Sequence, residues 1–259
     1  MASISRFVTI SVDDGHPTDL RTAELLSKFG LKATFYTPAK NPERPVLSAA
    51  ELRKLAADFE LGGHTMSHLA LNSLSRDKAW QEISGCKKWI EDLTGSRIAS
   101  FCYPRGKFDR GIADMVREAG FAGARTCFFN LNGFPGDPFM WGVSTHAYTH
   151  SHTVQMRHAL LERNFAGAWN YWRTYRGERD WARQFMLALD HVNDHHGGIA
   201  HLYMHSWEIE QMEQWNLLEG VFSEIAQRPT LVSATNGELF DLWHHHRGTE
   251  FVLQETIGQ

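Results

Sequence analysis

Short β-branched or apolar runs alternate with longer helix-like stretches along the whole chain, and this alternation most narrows the folds open to it. Phe7-Val-Thr-Ile-Ser-Val12 reads as a first strand. Pro17 to Phe29 reads as the helix after it, with proline in its first turn and Gly30 just past its end. Further strands are expected over 33–36, 59–61, 98–102, 122–127, 139–144, 199–204 and 230–232. Helices are expected over 75–93, 111–119, 154–175, 181–195 and 211–226, and residues 128–138 read as a turn-rich loop. The helix over 211–226 places Trp215, Leu218, Phe222 and Ile225 on one face. Ser48-Ala-Ala-Glu51 is a capping-box sequence, and Thr235-Asn-Gly-Glu238 caps a final helix. Seven or eight strand–helix units without a linker predict a single α/β domain over residues 1–259. A parallel (β/α) barrel is preferred to an open doubly wound sheet.

Charge and composition remove several functions. The 259 residues carry 26 Lys+Arg and 30 Asp+Glu, a net charge of −4 without a basic block, which argues against a nucleic-acid or anionic-membrane partner. No run of about 18 apolar residues is present, so no membrane-spanning helix is expected. Asp13-Asp14 interrupts the first apolar run before a signal-peptide core could form, and a cytoplasmic location is expected. Three cysteines (Cys86, Cys102, Cys127) make no disulfide framework. No G-x-G-x-x-G or Walker sequence follows a strand, against a nucleotide site. The surplus is in histidine, at 15 residues.

In a parallel barrel the strands end on one face, where the chemistry sits. Asp13-Asp14 follow the first strand, His64 and His68 the third, Tyr103-Pro-Arg-Gly106 the fourth, and His205 the last but one. The i, i+4 spacing of His64 and His68 places two imidazoles on one helical face. With Asp14 they supply two nitrogens and one oxygen, the set that holds a catalytic zinc and leaves a position for water. Each piece also has a plain structural reading: a turn for Asp-Asp-Gly, a helix-surface pair for the histidines, and a buried strand-end residue for His205. Other histidines compete. His191 and His195 repeat the spacing at a predicted helix end, where they favour the negative pole. His244-His245-His246 read as solvated surface. His146, His150 and His152 follow a strand and are candidates for the same rim.

The stretches Ser11-Val-Asp-Asp-Gly15, His64-Thr-Met-Ser-His68, Phe101-Cys-Tyr-Pro-Arg-Gly106 and Leu202-Tyr-Met-His205 together resemble the polysaccharide deacetylases with the NodB homology domain, carbohydrate esterase family 4. The resemblance implies a distorted (β/α) barrel and metal-dependent removal of an acetyl, or similar acyl, group from an N-acetylated sugar or glycan precursor. It implies Asp13 as general base, and Asp14, His64 and His68 as ligands of a divalent metal, zinc first, with cobalt or nickel as alternatives. It also implies His205 as general acid and the Arg105 backbone N–H as an oxyanion donor. Two departures stand out. The third motif has Cys102 where the family carries an arginine that partners the base, and no Asp-x-x-Asp-Trp sequence occurs near Trp141. Glu208, three residues past His205, is the expected replacement for the acid that orients it. Tyr103 and Trp207, beside the catalytic positions, are candidates for stacking on a sugar ring. The His-Ser-Trp-Glu sequence at 205–208 also resembles allantoinase-like hydrolases, which keeps a non-sugar C–N hydrolase open. The two departures keep a catalytically silent glycan-binding barrel open as well. The sequence leaves the oligomeric state unread.

Overall fold

The computed structural model describes residues 6–194 and 197–245. Its strands are β1 (Arg6–Asp13), β2 (Thr34–Thr37), β3 (Glu60–Gly63), β4 (Ser100–Cys102), β5 (Gly123–Arg125), β6 (Thr145–His146), β7 (Gly198–Met204) and β8 (Val232–Ser233). They form one sheet of order β5-β4-β3-β2-β1-β7-β6, with β8 also against β1, and every pairing is parallel. The segment after β5 closes the curl. The Trp141 N–H donates to Ala124 and Thr126 donates to Trp141, while Ser144 and Ala147 donate to His201 and Tyr203 of β7. One irregular stretch thus bonds β5 at its start and β7 at its end, giving the expected distorted (β/α) barrel. The strand expected over 139–144 is displaced. Pro138–Met140 is a 3-10 turn capped by Asp137, and regular pairing starts only at Thr145.

Side chains alternate along each strand, as the pleat requires. Val8, Ile10 and Val12 of β1 face the surrounding helices, together with Phe35, Leu61, Phe101 and Leu202 of the neighbouring strands. The intervening residues face the barrel interior and are polar: Thr9 donates to Asn236 (2.8 Å), and Ser11 pairs with His201 (2.9 Å). One end of the interior is plugged by α10 (Asn236–His245), whose Phe240 packs with Trp141 and Phe7. Gly123 makes room for it, since a Cβ there would lie 2.5 Å from the Phe240 ring. The Thr235/Glu238 box forms as expected, by reciprocal backbone–side-chain bonds of 2.9 and 3.2 Å. The Ser48/Glu51 box forms at the start of α2 (Ala49–Leu55). His244 is exposed, as its solvated reading expects, and its Nε2 also donates to the Ala122 carbonyl (2.7 Å). His195 and His246 lie outside the described residues.

The remaining helices cover the outer face: α1 (Asp19–Lys28), α3 (Arg76–Thr94), α4 (Arg110–Glu118), α5 (His152–Leu161), α6 (Phe165–Arg173), α7 (Trp181–Asp194), α8 (Ser206–Gln211) and α9 (Trp215–Ala226). Two expectations change. The helix over 154–175 is broken into α5 and α6, because Arg163 turns left-handed (φ 54°) and Asn164 caps the Gly167 N–H (2.9 Å). The helix over 211–226 starts only at Trp215, but Trp215, Leu218, Phe222 and Ile225 are buried as expected.

Candidate active site

Parallel strands deliver their carboxyl ends to one rim. Asp13 is the last residue of β1 and faces inward. Neighbours in a strand point to opposite sides, so Asp14 shares the rim only because the strand stops there: Asp14 and Gly15 are left-handed (φ 80° and 60°). Gly15 is required twice, by its φ and because a Cβ would fall 2.4 Å from Thr37 Oγ1. His64 follows β3. It and His68 are not on a helix, as their spacing had suggested. Residues 65–67 form a turn with Thr65 and His68 left-handed (φ 68° and 53°), which brings the two rings to 5.0 Å. Buried Glu82 of α3 braces this turn by accepting from the Ser67 N–H (2.7 Å).

The resulting triad is tight. Asp14 Oδ1 lies 3.0 Å from His68 Nε2 and 3.8 Å from His64 Nε2, and donor atoms of the three residues lie within 4.8 Å of one another. His64 Nδ1 donates to the Cys102 carbonyl (2.9 Å), which leaves the Nε2 lone pair facing Asp14. Burial lowers the His64 imidazole to about 4, so it is neutral at neutral pH. Asp14 Oδ1 is buried and makes no hydrogen bond. Burial raises the Asp14 carboxyl, but the imidazoles of His68, His205 and His64 more than offset this and hold it well below the carboxylate range.

Asp13 has a different partner. Arg125, the last residue of β5 and fully buried, contacts both Asp13 carboxylate oxygens, and Cys102 Sγ donates to Oδ2 (3.4 Å). Burial pushes the Asp13 carboxyl up, but Arg125, with His64 and His205, brings it below its ordinary value. The arginine missing from position 102 thus arrives from the adjacent strand, where Cys102 and Arg125 are register partners. Arg125 is not among the residues that the sequence motifs single out. Its signal was one cation inside an otherwise apolar strand, Gly123-Ala-Arg-Thr-Cys127.

Across the rim, His205 follows β7. Its Nδ1 donates to Glu208 Oε2 (2.8 Å), and its Nε2 lies 3.9 Å from Asp14 Oδ2 and 3.2 Å from the Tyr203 hydroxyl. Burial lowers the His205 imidazole, and the Glu208 carboxylate outweighs this, leaving it raised. Glu208 Oε2 also accepts from His146 Nε2 (2.9 Å), whose Nδ1 meets His150 Nε2 (3.0 Å). His146 and His150 therefore belong to this rim, while His152 pairs with the Tyr171 hydroxyl (2.7 Å).

Arg105 is left-handed (φ 56°). The turn bonds around it run from Gly106 to Tyr103 and from Lys107 to Pro104, leaving the Arg105 N–H out of them. Its side chain pairs with exposed Glu43. The two stacking candidates differ. Tyr103 is fully buried, its hydroxyl donates to Phe139 (3.1 Å), and its ring is stacked on Phe108 at 4.1 Å. Trp207 donates to Asp14 Oδ2 (2.9 Å), with the Arg44 guanidinium 3.3 Å from its ring centre and the His205 ring at 5.2 Å. The Tyr103 ring keeps no free face for a sugar, whereas Trp207 is half-buried on the rim.

Asp19, at the start of α1, is a buried carboxyl beside this site. Oδ1 accepts from Ser206 and Oδ2 has no partner. Burial, reinforced by Asp14, pushes its carboxyl well above the ordinary value. Between an unfolded carboxyl's pKa of ~3.9 and this raised value, the folded chain keeps a proton that the unfolded chain releases. This makes stability fall as pH rises across that interval. Asp19→Asn is expected to raise Tm at pH 8 and to change it little at pH 4, as read by thermal melts at both pH values.

The strand ends of this parallel barrel gather two aspartates, two close histidines and a carboxylate-backed third histidine, and Asp14, His64 and His68 form a group that could hold a metal ion. The family model described as polysaccharide deacetylase matches residues 3–124. Over these residues the chain is similar to that family, the one its motifs resemble. YxkH of Bacillus subtilis (strain 168), provisionally named as a polysaccharide deacetylase, is 25% identical over 117 residues, covering 44% of this chain and 42% of its own length. The chain thus matches less than half of that curated relative. Among solved structures, the family 4 acetyl xylan esterase from Clostridium thermocellum, in complex with a cobalt ion, superposes with a TM-score of 0.58 at 17% identity. That match covers 92% of this chain and 91% of the esterase. BA3943 of Bacillus anthracis, a CE4 family pseudoenzyme, gives 0.53 at 16% identity, over 92% of this chain and 66% of its own. These likenesses bear out the fold. No helix among the described residues is long and apolar enough to cross a membrane.

Proposed function

We propose that residues 1–259 act as one catalytic domain, a divalent-metal-dependent hydrolase that removes an acetyl or similar acyl group from an N-acetylated sugar or glycan precursor. The observation that carries this reading is the buried, unbonded Asp14 Oδ1 facing His64 and His68, with Asp13 and His205 at its sides. Two imidazole nitrogens and one carboxylate oxygen fit a divalent cation, zinc first. The cobalt ion of the C. thermocellum esterase fits the same reading. Held by Asp14, His64 and His68, the cation would supply Lewis-acid charge for the acyl carbonyl oxygen.

The chain's own groups do the proton work. Asp13, kept ionised by Arg125, accepts the proton of the attacking water. The Arg105 N–H donates to the oxygen that gains negative charge. His205, protonated and backed by Glu208, delivers a proton to the leaving nitrogen, so that water and amide become acid and amine. Glu208→Gln is expected to lower kcat by about 10²-fold, to move the high-pH limb of the profile to lower pH, and to leave zinc content unchanged. An unchanged limb would deny Glu208 its positioning role. The reading as a whole is tested by acetate release from a panel of N-acetylated sugars with zinc present. Release from ureides or cyclic amides alone would replace the sugar substrate, and no release from any panel would overturn the enzyme reading.

A further inference from the structure

Helix α6 turns Tyr171 and several polar and small residues toward the protein: Asn164, the cap, donates to the Phe129 carbonyl (2.8 Å) and Asn170 to the Asn130 carbonyl (2.9 Å). Gly167 sits so close that a Cβ would fall 2.3 Å from the Phe129 oxygen. These contacts fix the rotation of the helix. The opposite face then carries Phe165, Trp169 and Trp172, at i, i+4 and i+7, exposed to 67%, 64% and 54%. Leu160 and Leu161 at the end of α5 extend it, each 68% exposed. Five of the nine large exposed apolar residues described thus fall between positions 160 and 172. A patch of this kind marks an interaction site.

Charge says what covers it. Arg157, Arg163, Arg173 and Arg176 are exposed on the same hairpin, and none of them forms an ion pair among the described residues. The one acid between positions 152 and 177, Glu162, pairs with His158 (3.5 Å). The hairpin is therefore locally basic in a chain of net charge −4, a feature that the total conceals. We propose that the α5–α6 hairpin docks on the surface of an anionic lipid bilayer. The aromatic and leucine side chains enter the headgroup–acyl boundary, and the arginines face lipid phosphates. A second copy would set unpaired arginines against unpaired arginines. Single-stranded nucleic acid would satisfy the arginines and tryptophans but leave the two leucines nothing to stack on.

Flotation of the whole chain with vesicles of phosphatidylcholine, with or without phosphatidylglycerol, tests this without reading activity. The expected result is co-flotation with the anionic vesicles only, weakening as salt rises. Trp169→Ser and Phe165→Ser should each lower the partition coefficient by about tenfold, from the apolar surface withdrawn. Arg163→Gln and Arg173→Gln should each lower it by roughly fivefold. Leu217→Ser, on α9, should leave it unchanged, and circular dichroism should show every variant folded. Four outcomes would overturn the proposal: no flotation with either vesicle, equal flotation with both, binding indifferent to Trp169 and Phe165, or a dimer that Trp169→Ser dissolves.

Discussion

Arg125→Met is expected to cost about 3–5 kcal/mol of folding stability, because it strands the Asp13 carboxylate in the barrel without its counter-charge. Asp13 is 3% exposed and Arg125 is not exposed at all, so water cannot replace the lost partner. The pair also sits at the junction of β1, β4 and β5, where Cys102 adds a thiol to the same carboxylate. Adding Asp13→Asn to the methionine variant should recover most of the loss, since removing both charges is far cheaper than removing one. Urea denaturation of the parent, the two single variants and the double variant measures this. A loss below about 1 kcal/mol for Arg125→Met, or no recovery in the double variant, would show that Asp13 draws its stabilisation from elsewhere.

His64→Ala is expected to abolish retention of zinc through gel filtration, while His205→Asn retains it. The geometry sets this division. His64 Nε2 faces Asp14 from a ring fixed by the Cys102 carbonyl, whereas His205 spends Nδ1 on Glu208 and stands 3.9 Å from Asp14. Elemental analysis of the purified chains reads metal content independently of turnover. Acyl release should fall to background in His64→Ala, and by about 10²–10⁴-fold in His205→Asn, the range of a lost general acid. Equal zinc loss in both variants would refute the separate roles.

The outward half of the fold was legible because it follows period-2 and period-3.6 patterning. The apolar series in β1, the buried face of α9 and both capping boxes emerged where residue spacing placed them. The convergence of Asp13, Asp14, His64, His68 and His205 followed from parallel strands ending on one rim. Less visible was whatever depends on a single backbone angle or a distant pairing. The His64–His68 spacing imitates a helix, but left-handed Thr65 and His68 make the contact. Arg125 reaches Asp13 through strand register, across 112 residues of sequence. Glu208 was read as a partner of His205, but its second bond, to His146, joins positions that share no local pattern. The break between α5 and α6 had a readable cue in Asn164, a cap residue inside an apparently continuous helix.

The polar lining of the barrel has a consequence for how the chain is made. Asn236 Oδ1 accepts from the Thr9 hydroxyl, and its backbone and side-chain amides donate to Thr34 and Tyr36, while Gly237 donates to Glu60. The first strands to leave a ribosome therefore carry groups whose mates are synthesised about two hundred positions later, as the 227-residue separation of Thr9 from Asn236 shows. Such long-range closure slows assembly. The amino-terminal half must wait, partly unsatisfied, until the helix that starts at Asn236 arrives, which lengthens the time these polar groups and the apolar surface around them stay exposed during synthesis.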